Sequence, residues 1–430
     1  MNKVYDLIAV GLGPFNLSLA CLAEPIETLD SLFLEQRDEF NWHPGLMLDG
    51  VTLQTPFMSD LVTLADPTNP YSFLNYAKQQ GKLYQFYIRE SFFLLREQYN
   101  QYCQWAASQL SNIQFGHKVI HSQFDHTKQL YVLTVESAKQ TKTLYCRHLV
   151  LGTGPSPYYP PAVQAEDTQL CHATEYLYKR DELVNSKSIT VIGSGQSAAE
   201  VFYDLLCDIK QHNYQLNWVT RAPRFFPLEY TKLTLEMTSP EYVDYFYNLE
   251  QATKQELLAK QRNLYKGINS ELINQIYDQL YQLDIQGVNR ARLLTNSELI
   301  KKQGSKLVFR HSEQQAEFSL HSNQVIMATG FSYQLPDFLS GLMSEINWLD
   351  NGCFAVERNY SIDKLQRLFV QNAELHSHGF VTPDLGMACY RNSHILRSIL
   401  GYAPYPLETQ IAFQEFGLPD VVNEKQKQIA

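Results

Sequence analysis

The chain alternates between short apolar runs and stretches where apolar positions return every three or four residues. Residues 7–10 (Leu, Ile, Ala, Val) are an unbroken apolar run, the pattern of a parallel strand covered on both faces. Leu17, Leu19, Ala20, Leu22 and Ala23 then recur at helical spacing, and residues 31–35 read as a second strand. The same succession returns at 188–192, 196–200 and 215–219. Two strand–helix–strand units predict an α/β fold with two Rossmann-like units. Between them, helices are expected over 72–80 and 89–109, and strands over 118–124, 129–136 and 145–151. Residues 240–284 have a helical rhythm (Tyr242, Tyr245, Phe246, Leu257, Leu258, Ile273, Ile276, Tyr277, Leu280) and predict a small helical insertion. Strands are expected again over 292–295, 306–310, 317–320, 324–327 and 368–371, and a closing helix over 387–400. Residues 41–70 carry Pro44, Pro56, Pro67 and Pro70, which deny regular helix, and read as a long ordered loop.

The first strand of each unit runs into glycines. Gly11-x-Gly13-x-x-Asn16 follows the run at 7–10. Gly11 permits the tight turn, and Gly13 lacks the Cβ that would keep a pyrophosphate off the backbone. The phosphates then meet the N-terminus of the next helix, which Pro14 opens. Asn16 stands where a third glycine is usual. Glu35 closes the second strand 24 positions after Gly11, where a carboxylate binds a ribose hydroxyl. Gly193-Ser194-Gly195-Gln196-Ser197-Ala198 repeats the arrangement, but its second strand ends in Thr220-Arg221, with Arg224 close behind. An acid there suits the free 2′-hydroxyl of NAD; arginine suits the 2′-phosphate of NADP. Two such units predict two dinucleotides, and the usual pair is a flavin with a nicotinamide. Small-residue turns at 152–154 and at Ala328-Thr329-Gly330 mark where the chain crosses between the units.

Composition narrows the field. With 430 residues, 44% hydrophobic and 19% charged, this is an ordinary globular chain of two or three domains. A net charge of −10 without a basic block argues against nucleic acid and anionic membranes as partners. No apolar run approaches the length of a membrane span. The seven cysteines are scattered without a Cys-x-x-Cys, so neither a disulfide framework nor a zinc site is expected. His376-x-His378 has no acidic or cysteine cluster beside it, and no metal is expected. The first residues enter a strand without a signal-peptide pattern, which makes the cytoplasm the expected location.

More specific blocks lie between and after the glycine motifs. Trp42-His43-Pro44-Gly45, Gln54-x-x-Phe57-x-x-Asp60-Leu61-Val62 and Asp66-Pro67-Thr68-Asn69-Pro70-Tyr71-Ser72-Phe73 are followed later by Ala328-Thr329-Gly330 and His378-Gly379. Together with the glycine motifs they resemble the flavin-dependent N-hydroxylating monooxygenases of siderophore biosynthesis, the lysine N6- and ornithine N5-hydroxylase family. The likeness runs from residue 4 to about 400. It implies FAD and NADPH as cofactors, O2 and a small aliphatic amine as substrates, and a homo-oligomer, dimer or tetramer. It also implies that oxygen is activated on the flavin as a C4a-hydroperoxide, which an unprotonated amine attacks. By the same likeness Gln54 lies where flavin and nicotinamide meet and is the catalytic candidate. Trp42, His43, Thr329, Gly330, Leu385 and Gly386 join the cofactor-binding set. Residues 1–160 and 325–430 are expected to bind FAD, 161–225 and 285–324 NADPH, and 226–284 the substrate.

Departures from that family point to the substrate. Members that act on amino acids carry Lys in a Phe-x-Lys-Asp-Leu-Val block, where it pairs with the substrate α-carboxylate; here Ser59 stands in its place. Leu385-Gly386 replaces a usual Leu-Ser, and Leu235 stands where a polar residue is common. A carboxylate buried without its counter-charge costs on the order of 3–5 kcal/mol. A diamine has no carboxylate. Its far ammonium needs an acid or carbonyls, and Glu229, Glu236 and Asp384 are the candidates. The expected substrate is putrescine, then cadaverine, with histamine behind and lysine or ornithine last. Other flavin monooxygenases, of the Baeyer–Villiger or S-oxygenating kind, share the glycine motifs but not the 41–76 blocks. A redox sensor that binds FAD without making a hydroxylamine is the non-enzymatic alternative.

Overall fold

The computed structural model describes residues 3–138 and 140–419. Its first sheet has seven strands. Ile113–Gln114, Ser31–Leu34, Val4–Val10, Thr141–Leu151, Leu130–Ser137 and His117–Asp125 lie in that order, and Leu368–Val370 pairs with the end of Thr141–Leu151. Val4–Val10 is flanked by parallel partners on both sides, with Ile8 opposite Leu32 and Leu149. The strand period of two explains why its apolar run is unbroken. Leu7 and Ala9 enter one core with Leu17, Leu22 and Tyr102; Ile8 and Val10 enter another with Leu149, Leu339 and Ile362. The Pro14–Ala23 helix buries nine of its ten residues against that first core. Each of its leucines contributes roughly 2 kcal/mol of burial.

The second sheet is wholly parallel, in the order Leu170–His172, Gln324–Met327, Ser188–Ile192, Gln215–Val219, Ala291–Leu294. The Gln196–Asp208 and Ser270–Ile285 helices cover one face, where Phe202, Leu205, Ile276 and Leu283 meet Val191 and Trp218. The other face, with Ile192, Val219 and Met327, packs on Leu299, Leu307 and Phe309 of a three-stranded antiparallel sheet. Where the chain crosses between sheets, Ser156–Pro157 pairs with Phe331–Ser332.

Three expectations change. The helix expected over 89–109 starts only at Arg96 and runs to Gln109; a separate helix Leu83–Arg89, closed by Glu90 in left-handed backbone at φ 49°, and a strand Phe93–Leu95 precede it. The 41–70 loop contains a strand, Thr52–Pro56, paired with Phe93–Leu95. Strand Ser297–Gln303, whose only apolar residues Leu299 and Ile300 sit between Glu298 and Lys301-Lys302, pairs with Lys306–His311 across Gly304. Of the helices in 226–284, Ser270–Ile285 packs on the second sheet. Pro240–Tyr247 instead packs through Tyr242, Val243 and Phe246 on Phe380, Val381 and Met387 of the chain's late loop. Residues 420–430, assigned above to the flavin unit, lie outside the described residues. Among the described residues no helix is long and apolar enough to cross a membrane, and no cluster of metal-ligating side chains occurs. All seven cysteines are free thiols.

Candidate active site

The two glycine loops open on one cavity of about 1970 Å³. At the first, Gly11 has φ 85°, and a Cβ there would stand 2.6 Å from Gly152 O, so only glycine fits. Gly13 differs: a Cβ would meet nothing within 4 Å, because it would project into the cavity. Gly13 caps the Pro14–Ala23 helix without any side-chain acceptor, which leaves the helix's first N–H groups for a ligand. Glu35 sits beside them at the end of its strand; Oε2 accepts from Leu12 N at 2.7 Å and Oε1 from Arg37 N at 3.0 Å.

The second loop repeats this geometry. Gly193 has φ 146°, and a Cβ would lie 2.2 Å from Ala328 O. Gly195 caps the Gln196–Asp208 helix, again with no side-chain acceptor. Arg221 lines the cavity near this loop, in company that the sequence did not announce: Arg262 and Lys266 from the helical insertion. Lys266 is held below its usual range, first by partial burial and then by Arg262 and Arg221. Among the described residues none of these three cations has a carboxylate within salt-bridge distance. Three neighbouring cations without an acid are a site for an anion.

Between the loops, Gln54 and Thr55 face the cavity from the Thr52–Pro56 strand. Gln54 Nε2, Thr55 Oγ1 and Gln371 Oε1 are buried without a protein partner. Trp42 and His43 also line the cavity. His43 is in left-handed backbone at φ 50°, with its ring 4.7 Å from that of Trp42 and 6.0 Å from that of Phe331. Burial, with Arg96 and Arg37 nearby, lowers its imidazole to about 4, so it is neutral at pH 7. Thr329, Gly330, Leu235, Glu229, Asp384 and Leu385 complete the wall. Asp384 accepts from Gly386 N at 2.7 Å. Burial raises its carboxyl, only partly offset by that N–H and by Arg391. Tyr230 stands close enough for the Asp384 charge to add to the burial that raises its phenol. Glu229 accepts only from neutral groups, Thr234 Oγ1 at 3.3 Å and Asn263 Nδ2 at 2.8 Å.

Five expected site residues are not on the cavity wall. Asn16 is fully buried and braces the first loop from behind: Nδ2 donates to Gly11 O at 2.7 Å, and Oδ1 accepts from Gln371 Nε2 at 2.6 Å. Arg224 lies over the ring of Phe226, a wall residue, with its guanidinium 4.6 Å from the ring centre. Glu236 accepts from Phe413 N and Gln414 N at 3.1 and 3.0 Å, tying the late chain to the helical insertion rather than facing a substrate. Ser59 and Gly386 lie one layer behind Asp384. A Cβ on Gly386 would stand 3.2 Å from both Ser59 Oγ and Asp384 Oδ1. Asp60 fixes its loop, accepting from Val62 N, Thr63 N and Phe73 N.

The residues present fit two dinucleotides. Each loop offers a helix N-terminus and a glycine facing open space or, for Gly195, nothing nearer than Lys266 O at 3.6 Å. One strand ends in an acid for a ribose and the other in a cation for a phosphate. The unpartnered amide of Gln54 and carbonyl of Gln371 sit between the loops, where polar edges of a bound ring system would satisfy them.

Comparison with known proteins agrees with this geometry. Residues 3–333 match the family model for L-lysine 6-monooxygenase/L-ornithine 5-monooxygenase. A putrescine N-hydroxylase of Shewanella oneidensis is 52% identical over 99% of this chain and 87% of its own length. One from Acinetobacter baumannii is 45% identical over 96% of this chain and 94% of its own. The crystal structure of an FAD-bound cadaverine monooxygenase of desferrioxamine biosynthesis from Erwinia amylovora is 53% identical. It superposes with a TM-score of 0.96, over 97% of this chain and 99% of that one. The chain belongs to the L-lysine 6-monooxygenase/L-ornithine 5-monooxygenase family, whose members are FAD- and NADPH-dependent N-hydroxylases.

Proposed function

We propose that this chain N-hydroxylates one primary amine of an aliphatic diamine, putrescine ahead of cadaverine, for a hydroxamate siderophore. FAD is assigned to the Gly11–Gly13 loop with Glu35, and NADPH to the Gly193–Gly195 loop with Arg221, Arg262 and Lys266. When bound, the flavin takes a hydride from NADPH and activates O2, one oxygen atom going to the amine and the other to water. The chain's own part is to seat both nucleotides on helix N-termini, hold Gln54 where their rings meet, and present the amine. The reacting nitrogen must be unprotonated to attack an electrophilic oxygen, so no serine, cysteine or metal is required. Residues 1–160 with the late chain form the flavin unit in this reading. The second sheet with the Ser270–Ile285 helix forms the nicotinamide unit, and 226–268 form the substrate cover. A cytoplasmic homo-oligomer belongs to the same reading.

The observation that carries the diamine is the half-buried Asp384 carboxyl, with Glu229 also on the wall. A second ammonium would satisfy that carboxylate. The α-carboxylate of lysine or ornithine would meet like charge, with Ser59 buried behind Gly386 where the amino-acid enzymes carry lysine. The similarity to enzymes named for putrescine and for cadaverine supports the class and leaves chain length to experiment. The test is hydroxylamine formation, not NADPH oxidation, across putrescine, cadaverine, histamine, ornithine and lysine. Putrescine is expected to give the highest kcat/KM. The highest value with lysine or ornithine would overturn the reading.

A further inference from the structure

Arg96 opens the Arg96–Gln109 helix beside the first sheet and reaches Glu200 on the second unit. Nη1 and Nη2 donate to Glu200 Oε2 and Oε1 at 3.0 and 2.8 Å, and Nη1 also donates to Leu46 O at 2.6 Å. The two side chains are 11% and 1% exposed. Glu200 Oε1 further accepts from Gln196 Nε2 at 3.0 Å, and Gln196 Oε1 accepts from Asn269 N at 2.8 Å. Asn269 in turn caps the Ser270–Ile285 helix, accepting from Glu271 N and Leu272 N. One bonded series therefore joins the 42–46 turn, the second glycine loop and the point where the chain returns from the helical insertion.

The seam on either side is equally close. A Cβ on Gly45 would stand 1.9 Å from Thr174 O, so the turn that carries Trp42 and His43 rests directly on backbone of the second unit. A buried ion pair adds little stability over a well-packed apolar pair; what a two-pronged arginine–carboxylate pair adds is a fixed distance and orientation. Both polar ends of the Gln196 side chain are consumed here. Gln196 is the first residue after the Gly195 cap, so fixing it fixes the loop.

We infer that Arg96 is a positioning residue for reduction of the flavin. Acting through Glu200 and Gln196, it sets how far the nicotinamide loop stands from the flavin loop. This rests on the nucleotide assignment proposed above. Hydride transfer needs donor and acceptor atoms in contact and loses rate steeply with small displacements, so the joint governs reduction more than it governs nucleotide affinity.

The experiment uses FAD-loaded protein with Arg96→Met, Arg96→Lys, Glu200→Gln and the double variant Arg96→Met/Glu200→Leu. Anaerobic stopped-flow gives the limiting rate of flavin reduction by NADPH and its apparent Kd; dithionite reduction, flavin content and Tm are controls. The limiting rate should fall at least tenfold in Arg96→Met and in the double variant, with the Kd changed less and flavin content kept. Arg96→Lys, which cannot span both carboxylate oxygens and Leu46 O, should fall between. The double variant, free of an unpaired buried charge, should regain the Tm that Arg96→Met loses without regaining the rate. If Arg96→Met does not fold, the double variant decides alone. A limiting rate within twofold of wild type in the double variant would reduce the pair to a structural role and overturn the inference. Wild-type protein that fails to oxidise NADPH would instead overturn the nucleotide assignment.

Discussion

The two glycine loops share a backbone and differ in almost everything around it. The helix behind the first loop buries nine of its ten residues; the helix behind the second buries seven of thirteen. Each loop is braced by a side-chain amide near the helix start, but the braces run to different places. Asn16 ties back to Gly11 and to Gln371, inside the first unit; Gln196 ties to Asn269 and to Glu200, and Glu200 carries the connection across to Arg96 of the first unit. The second strands end in opposite charge, Glu35 against Arg221. The first loop is thus a fixture within one core. The second is held at a distance by long polar side chains, and the cations beside it are gathered from two parts of the chain.

The largest effect is expected from a side chain on the first loop. Gly13→Leu adds atoms only where the cavity is open, so the chain should fold with near wild-type Tm of the flavin-free form and retain almost no flavin. Gly11→Ala should fail differently, because its Cβ meets Gly152 O and its φ is left-handed: the fold itself should lose stability. Flavin absorbance per chain and thermal melting separate the two. Gly13→Leu with full flavin would remove the first loop from the FAD site.

A smaller effect is expected at the second loop. In the proposed nucleotide assignment, Arg221→Ala or Lys266→Met removes one charged hydrogen bond to a 2′-phosphate, worth about 1.5–3 kcal/mol. That is roughly 10- to 100-fold in kcat/KM for NADPH. NADH, which has no such phosphate, should change little. Equal losses with both nucleotides would mean that the cation cluster serves the fold rather than the phosphate.

These tests also mark where sequence and structure part. An unbroken apolar run placed the first strand of the first unit; in the second unit buried Thr190 and Asn217 interrupt the runs and bond each other at 3.3 Å, and the glycine loop after Ile192 marks the strand instead. The strand at 297–303 escaped since only one of its faces is buried. Loop backbone was legible through glycine, but side-chain destinations were not. Glu236 has its carboxylate taken by residues almost 180 positions later. Arg224 lies three residues from Arg221 and faces an aromatic ring. Arg262 and Lys266 sit in no motif and enter the site only because the insertion folds back over the second loop. Gln371 was expected as the end of a strand; its amide, shared between Asn16 and the cavity, is visible only in three dimensions.

The smallest effect is expected at the substrate end, where the insertion meets the late chain. Burial raises the Asp384 pKa in the folded protein. The folded state therefore holds that proton more tightly than the unfolded chain does. Such a carboxyl costs no stability below its unfolded pKa, and its cost grows as pH rises through the folded value. Asp384→Asn removes the charge and still offers an oxygen to Gly386 N. Without substrate it should raise Tm at pH 7–8, by a stability gain on the order of 1 kcal/mol or less. The gain should vanish once the pH is below the unfolded carboxyl's pKa of about 3.9, where the group is neutral in both states. Saturating putrescine should reverse the order at pH 8, since a dication stabilises the carboxylate form and finds no charge in the amide. A lower Tm for Asp384→Asn at pH 8 without ligand would mean that the carboxylate is already compensated. Equal shifts of both proteins by putrescine would move the far ammonium to Glu229, whose two neutral donors leave its charge equally free.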